Sequence, residues 1–275
     1  MDGRALAAAL AAILLWSTLA WLGVRLAAWP PFLLVGCALG IGAIVGLRRI
    51  RAWRVPLAAL ALGVYGLFGF HFLLFLALRH APPVEANLVN YLWPLLIVLL
   101  APLFVPGMRL DARHVAAGLI GFAGAALVVT GGRLALEPAH AAGYAMAAGS
   151  ALVWATYSLA SRRLRNVPTA AVGGYCLASG IAALACHALL EAPFVPATAD
   201  IGWLIVLGLG PMGAAFYLWD FALKRGDPRS IGALAYLTPL ASTLLLAAAG
   251  DSPMTAAAGI GMALIIGGAI VGTAK

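Results

Sequence analysis

Long apolar segments, separated by short charged or proline-rich breaks, run along almost the whole chain. A membrane-spanning helix needs about 20 apolar residues, and most of these segments reach that length. The second segment is the shortest and is rich in glycine. The pattern predicts an all-α membrane protein with ten transmembrane helices, over residues 5–28, 32–47, 55–78, 84–105, 114–130, 141–161, 169–190, 201–223, 229–249 and 254–273.

The composition supports lipid as the solvent for most of the chain. Hydrophobic residues make up 64% and charged residues 9% of the 275 positions, whereas a soluble domain has about 25% charged residues. Ten spans with short loops would use nearly the whole length, so we expect no separate soluble domain. The first apolar run, residues 5–28, is too long for the core of a signal peptide and is expected to remain as the first span.

The basic residues fall on alternate loops of the predicted topology. Arg25, Arg79 and Arg133 lie on one side, and the rest of the 17 lysines and arginines lie on the other side. Cytoplasmic loops carry such an excess of basic residues. We therefore expect a protein of the bacterial inner membrane with both termini in the cytoplasm. The same bias explains the net charge of +8 without a nucleic-acid partner.

Two pairs of sequence segments indicate an internal repeat. Residues 91–95 (YLWPL) recur as residues 236–240 (YLTPL), and residues 14–18 (LLWST) recur as residues 152–156 (LVWAT). Each pair links one predicted helix to the helix five places later, so the second half must cross the membrane in the opposite sense. Chance similarity between Leu- and Ala-rich helices is the alternative explanation. We predict two inverted five-helix repeats, residues 1–137 and 138–275, around a central cavity that opens alternately to each side.

The fourth predicted helix has one polar and aromatic face. At 100° per residue, Asn87, Asn90, Tyr91 and Trp93 lie together, and leucines occupy the opposite face. An asparagine that faced lipid would leave its amide without hydrogen-bond partners. This face is therefore expected to line a polar cavity, or alternatively to form hydrogen bonds between helices.

Other candidate site residues lie within predicted helices. His71 is near the middle of the third helix, where an ionisable residue is a functional candidate, although a structural histidine is the alternative. Trp16 and Trp154 occupy related positions in the two halves, on faces of small residues, and would either project into a cavity or fill packing space. Pro94 and Pro239 each interrupt backbone hydrogen bonding and are predicted hinges.

The sequence has no acidic residue in the middle of a predicted span. Asp220 is near a helix end with Lys224 four residues later, and Glu85 is near a helix start. This pattern favours a substrate without net charge. The five histidines lack metal-ligand spacing, the three cysteines lie in apolar runs, and no catalytic motif is present. We therefore predict no metal, no cofactor and no enzymatic activity.

The segment from Ala86 to Leu95, with its Tyr-Leu-Trp-Pro motif, resembles the signature of the bacterial aromatic amino acid exporters of the drug/metabolite transporter superfamily. The resemblance implies a helical bundle around a central cavity that exports aromatic and related amino acids. It also implies that His71, Trp93 and Trp154 are cavity residues. From the helical-face and repeat arguments we add Trp16, Asn87, Asn90, Tyr91 and Tyr236 as substrate-binding residues. Thr238 replaces Trp93 in the second half, so the cavity should be asymmetric.

Several alternatives remain open on the sequence. A transporter of the same fold could carry drugs or nucleotide-sugars, but a cationic drug would favour a mid-span acid and a phosphorylated substrate would favour mid-span basic residues. A structural membrane subunit is a further alternative. We favour a monomeric carrier whose partners are the lipid bilayer and small neutral or aromatic amino acids.

Overall fold

The computed structural model describes residues 2–249 and 255–274, and all regular secondary structure within them is helical. The start of the last predicted span, at residue 254, and Lys275 lie outside the described residues. The long helices, several of which are bent, are α1 (Gly3–Arg25), α2 (Pro31–Ile44), α3 (Leu57–His80), α4 (Pro83–Phe104), α5 (Ala112–Thr130), α6 (Ala141–Ser161), α7 (Thr169–Leu190), α8 (Asp200–Arg225), α9 (Pro228–Ala248) and α10 (Ala256–Thr273).

Eight of these helices are long and apolar enough to cross a membrane. Helix α2 adds a ninth span if it is counted together with the short helix Leu47–Trp53, from which it is bent by 97°. Helix α6 has 21 residues but is not in this set, because its many small and polar residues make it less apolar. The predicted all-helical membrane protein is confirmed, whereas the total of ten spans and the inverted repeat remain predictions.

The most extensive helix contacts of the bundle are those of α5 with α10, α3 with α6, α2 with α7, α1 with α8, and α4 with α6. Glycines allow the closest of these crossings, as is common between membrane helices. A Cβ atom at Gly124 of α5 would lie 2.6 Å from the carbonyl oxygen of Gly261 of α10, and the reverse distance is also 2.6 Å. Backbone contact of this kind depends on the absence of a side chain.

Substitution of two glycines of α10 tests this crossing. Gly261→Ala is expected to destabilise the protein by about 1–3 kcal/mol, because the added methyl group overlaps the backbone of α5. Gly267→Ala is expected to stabilise it by about 0.5–1 kcal/mol, because Gly267 has no atom near its Cβ position and alanine is the better helix former. Denaturation of both variants in detergent measures the difference, and equal stabilities would contradict the packing argument.

Helical irregularities recur at a spacing of 145 residues along the chain. The π-helical turns Tyr65–Gly69 in α3 and Gly210–Ala214 in α8 begin 145 residues apart. Helix α4 is interrupted at Tyr91 and helix α9 at Tyr236, again 145 residues apart. π-Helical turns inside α-helices often mark functional sites. In this bundle all four irregularities lie near the middle of their helices.

Hydrogen bonds identify which loops share an end of the bundle. At the first end, Arg162 donates to the carbonyl oxygens of Leu223 and Gly226, and Arg229 donates to that of Arg109. Burial would raise the pKa of Asp227 at this end, but hydrogen bonds from Arg229 and its charge lower that pKa below the usual range. We call this the arginine-rich end.

The opposite end of the bundle contains fewer basic residues. Arg79 forms an ion pair with Glu191, and the indole N–H of Trp29 donates to Asp200. Because Arg79 lies at the C-terminal end of α3 and Glu191 at that of α7, these two helix ends lie together. We call this the Glu191 end. The two ends therefore differ in basic residues, as the alternation along the sequence predicted.

Candidate substrate cavity

A cavity of about 450 Å³ lies among α1, α2, α3, α4, α6, α8 and α9. Its lining runs along α1 from Trp16 to Gly23, along α3 from Phe70 to Leu78, and along α4 from Asn87 to Trp93. These stretches lead from the middle of each helix towards the Glu191 end. The cavity therefore occupies the half of the bundle that contains this end.

Tryptophans from four helices form a cluster at the base of the cavity; Trp16, Trp93 and Trp154 line it, and Trp219 packs behind them, outside the lining. The ring of Trp16 lies 6.2 Å from that of Trp93, 5.7 Å from that of Trp154 and 5.0 Å from that of Trp219, measured between centroids. Most of these contacts are edge-to-face, the arrangement that aromatic pairs prefer. The Trp16 indole N–H also donates to the Pro211 carbonyl oxygen in the π-helical turn of α8, so that ring is held in place.

Two serines of α6, one turn before and one turn after Trp154, form hydrogen bonds to neighbouring helices. Ser158 accepts a hydrogen bond of 3.0 Å from the indole N–H of Trp219, and Ser150 donates to the carbonyl oxygen of Phe70. Trp154 lies between them on the same helix, 5.3 Å from Phe70. The serines beside Trp154 therefore contribute to packing between helices, and Trp154 is the residue of α6 that lines the cavity.

His71 occupies one wall of the cavity and is almost completely buried. Its Nδ1 atom lies 2.6 Å from the carbonyl oxygen of Leu67. Because a carbonyl oxygen can only accept, Nδ1 carries a proton, and Nε2 is an acceptor when the ring is neutral. Phe70, Phe75 and Phe216 pack around the imidazole.

Polar side chains from α4 and α9 form a second wall, which includes Asn87, Asn90, Thr238 and Ser242. Asn90 Oδ1 and Thr238 Oγ1 are buried and have no hydrogen-bond partner among the described residues. An unpaired buried polar atom costs about 1–3 kcal/mol. Both atoms are therefore suited to form hydrogen bonds with a ligand.

The structure brings together most of the predicted binding residues. Trp16, His71, Asn87, Asn90, Tyr91, Trp93 and Trp154 all line the cavity. Sequence reasoning missed Ser242, and it treated Thr238 only as a departure from the repeat. The signal for both was that these polar residues lie one turn apart within the apolar helix α9.

Tyr236 is placed differently from the other predicted residues. It is fully buried away from the cavity lining, in a cluster with Leu95 and Ile265. Its hydroxyl accepts from the backbone N–H of Leu95 and donates to the carbonyl oxygen of Tyr91. Tyr236 therefore braces the interruption of α4, and direct contact with a substrate is not supported by this position.

The predicted hinge residues lie just after the helix interruptions. Pro94 is in the first turn after Tyr91, and Pro239 is in the first turn after Tyr236. Both prolines are buried. Their position is consistent with a bend, and movement at these points remains a prediction.

The cavity lining contains no acidic residue, lysine or arginine among the described residues. Asp220 is 3% exposed and lies outside the lining. It forms an ion pair of 2.8 Å with Lys224 and accepts a hydrogen bond of 2.7 Å from Thr169. Since its charge is compensated within the protein, the cavity favours a ligand without net charge.

Comparison with known proteins identifies relatives across nearly the whole length. A protein of Ancylobacter novellus, the aromatic amino acid exporter YddG, is 46% identical over 271 residues, which cover 95% of this chain and 94% of the relative. A probable terminal-alkyne amino-acid exporter of Streptantibioticus cattleyicolor is 30% identical and covers 71% of this chain and 65% of its own length.

Solved structures also include a similar fold. One crystal structure superposes with a TM-score of 0.95 at 44% identity, covering 99% of this chain and 97% of the other. The sequence profile of the EamA-like transporter family matches residues 3–130 and 141–273. These matches include the helices on both sides of the cavity. The chain is therefore a member of the EamA-like transporter family.

Proposed function

We propose that this protein is an inner-membrane carrier that exports aromatic and other large neutral amino acids, or facilitates their passage, by alternating access. The observation that carries the proposal is an uncharged cavity with a tryptophan base and two unpaired buried polar atoms, Asn90 Oδ1 and Thr238 Oγ1. An aromatic side chain and a zwitterionic backbone require these two kinds of surface. The exporter names of the two relatives support the same substrate class.

The arrangement of the cavity suggests how an amino acid would be oriented. The aromatic side chain would pack against Trp93 and Trp154 at the base, where ring contacts are favourable. The α-ammonium group would donate to Asn90 Oδ1 and His71 Nε2, which are acceptors. The carboxylate would accept from the Thr238 hydroxyl. All of these groups belong to one chain, so the proposal requires no oligomer.

The proposal includes two inverted five-helix repeats, residues 1–137 and 138–275, with ten spans. The packing of the helices supports this arrangement. Helix α1 packs on α8, and the corresponding pair is α6 on α3. Helix α4 packs on α6, and the corresponding pair is α9 on α1. If each helix is replaced by the helix five places later or earlier in the chain, the same four pairs result. The matching irregularities in α3 and α8, and in α4 and α9, add independent support.

We further propose that the arginine-rich end is cytoplasmic, following the positive-inside rule. The cavity would then open towards the outside of the cell, and the tryptophan base would close it from the cytoplasm. Alternating access would require this base to open. Pro94 and Pro239, beside the interruptions of α4 and α9, are the proposed hinges.

Counterflow in liposomes tests the proposed function. Purified protein is expected to accumulate labelled phenylalanine or tryptophan in vesicles preloaded with the unlabelled amino acid, above the level of empty vesicles. His71→Ala is expected to reduce the uptake, because it removes an acceptor from the cavity wall. Absence of uptake for every neutral amino acid, by protein of normal thermal stability, would contradict the substrate assignment.

A cationic drug as the substrate is disfavoured by the absence of an acidic residue in the described lining.

Thr238→Val tests recognition of the amino acid backbone. We expect the affinity for phenylalanine to fall by about tenfold to a hundredfold, because a hydrogen bond to a charged group contributes about 1.5–3 kcal/mol. Competition by 2-phenylethanol, which is uncharged and lacks the carboxylate, should change little. Thr130→Val is the matched control, since the Thr130 hydroxyl is outside the cavity and bonds the carbonyl oxygen of Ala126. An equal loss for phenylalanine and 2-phenylethanol would contradict the assigned role.

A further inference from the structure

A second cavity, of about 300 Å³, lies at the arginine-rich end of the bundle. It is formed by the connection between α6 and α7 and by the last turns of α8. It is separate from the substrate cavity, with which it shares no lining residue. Its lining consists of Arg165, Val167, Pro168, Thr169, Phe221, Lys224 and Arg225.

The charge of this cavity is positive and largely uncompensated. Arg165 and Arg225 form no ion pair with an acidic residue of the described chain. Lys224 donates to Asp220 and to the carbonyl oxygen of Val167, so one of its three N–H groups remains for another acceptor. An anion in this cavity would therefore meet two guanidinium groups and one ammonium group.

The other part of the lining is apolar. The guanidinium of Arg225 lies 4.4 Å from the ring centroid of Phe221, a cation–π contact that orients the charged group. Val167 and Pro168 continue the apolar surface. A site for a free inorganic anion has no need of such a surface, whereas a lipid brings a glycerol and acyl chains beside its phosphate.

The position along the membrane normal agrees with this chemistry. Arg165 follows the end of α6, and Arg225 is the last residue of α8, so both lie where membrane helices leave the hydrocarbon region. Basic pockets between membrane helices at this level bind the head groups of anionic lipids.

We propose that this second cavity binds the phosphate of an anionic phospholipid, through Arg165, Arg225 and the remaining N–H of Lys224. The acyl chains would leave along Phe221 towards the bilayer. Lys224 would then be shared between the phosphate and Asp220, which connects lipid binding to the buried ion pair beneath the tryptophan base. The site is independent of the transported substrate.

The experiment measures thermal unfolding of the full chain in detergent. Phosphatidylglycerol is expected to raise the unfolding temperature, because a ligand that binds the folded state stabilises it. Phosphatidylcholine should not raise it. The double variant Arg165→Gln/Arg225→Gln should require about 30-fold more phosphatidylglycerol for the same shift, at about fivefold for each arginine.

The matched control is Arg4→Gln/Arg109→Gln, which removes two exposed arginines outside this cavity and changes the net charge equally. It should retain the response of the unmodified protein. The double variant Arg165→Lys/Arg225→Lys keeps both positive charges and should retain part of the stabilisation by phosphatidylglycerol. Its response distinguishes loss of charge from misfolding as the cause of the effect in the glutamine variant.

Inorganic phosphate distinguishes a lipid head group from a free anion. A stabilisation by phosphate as strong as that by phosphatidylglycerol would overturn the lipid assignment. No stabilisation by either ligand, or an equal loss of response in the Arg4/Arg109 control, would overturn the site itself.

Discussion

Trp154→Ala is expected to lower the counterflow of phenylalanine by about tenfold to a hundredfold. The ring of Trp154 lies 5.7 Å from Trp16, 6.4 Å from Trp93 and 5.7 Å from Phe216. Each aromatic contact contributes about 0.5–1.5 kcal/mol beyond area burial, and about 1.4 kcal/mol corresponds to a factor of ten. The substitution removes a ring from the proposed substrate contact and deprives Trp16 and Trp93 of one of their aromatic neighbours.

Trp21→Ala is the matched control for this prediction. Trp21 packs edge-to-face on Trp203 at 5.1 Å and does not line the cavity, so transport should change little. Thermal unfolding of both variants shows whether the bundle remains folded. If the two variants lose transport equally, the tryptophan base is a packing feature and not the substrate contact.

Lys224→Met is expected to destabilise the protein by about 3–5 kcal/mol, the usual effect of leaving a buried charge without its partner. The side chains of Asp220 and Lys224 are 2% and 10% exposed, and their charged atoms are 2.8 Å apart. After the substitution, Asp220 would retain only the hydrogen bond from Thr169 among its present partners. Unfolding in detergent, monitored by circular dichroism, measures the effect.

A double variant separates the lost charge from the lost packing. Asp220→Asn/Lys224→Met should be more stable than Lys224→Met alone, because the second substitution removes the uncompensated carboxylate. Arg79→Met is the control: Arg79 is 41% exposed, its partner Glu191 accepts from two backbone N–H groups as well, and the expected loss is below about 1 kcal/mol. Equal stability of the single and double variants at Lys224 would contradict the ion-pair argument.

Much of the helical architecture could be predicted from the sequence because the signals are local. Apolar length predicts a helix in lipid, and charged or proline-rich breaks predict where it ends. Helix α6 shows the limit of this rule. It has 21 residues but many small and polar side chains, which other helices and not lipid cover; Ser150, Ser158 and Ser161 are all buried.

The candidate site was predictable in part for a similar reason. Asn90, Trp93 and His71 interrupt apolar helices, and polar or large aromatic groups at such depth require an interior position. The prediction was incomplete because a helical face indicates direction but not the neighbour that it meets. Tyr236 and Thr238 are two residues apart on one helix, yet Tyr236 braces the backbone of α4 and Thr238 lines the cavity.

The sequence by itself determined that the chain is helical, that lipid surrounds it, and that arginines alternate between loops, because hydropathy and charge act along the chain. Only the tertiary structure decided that the tryptophans of four helices meet in one base, that Asn90 and Thr238 share a wall, and that Asp220 pairs out of reach of the cavity. These relations depend on how helices bend and cross. Glycine contacts and helix interruptions set those crossings in three dimensions, and no local pattern in the sequence specifies them.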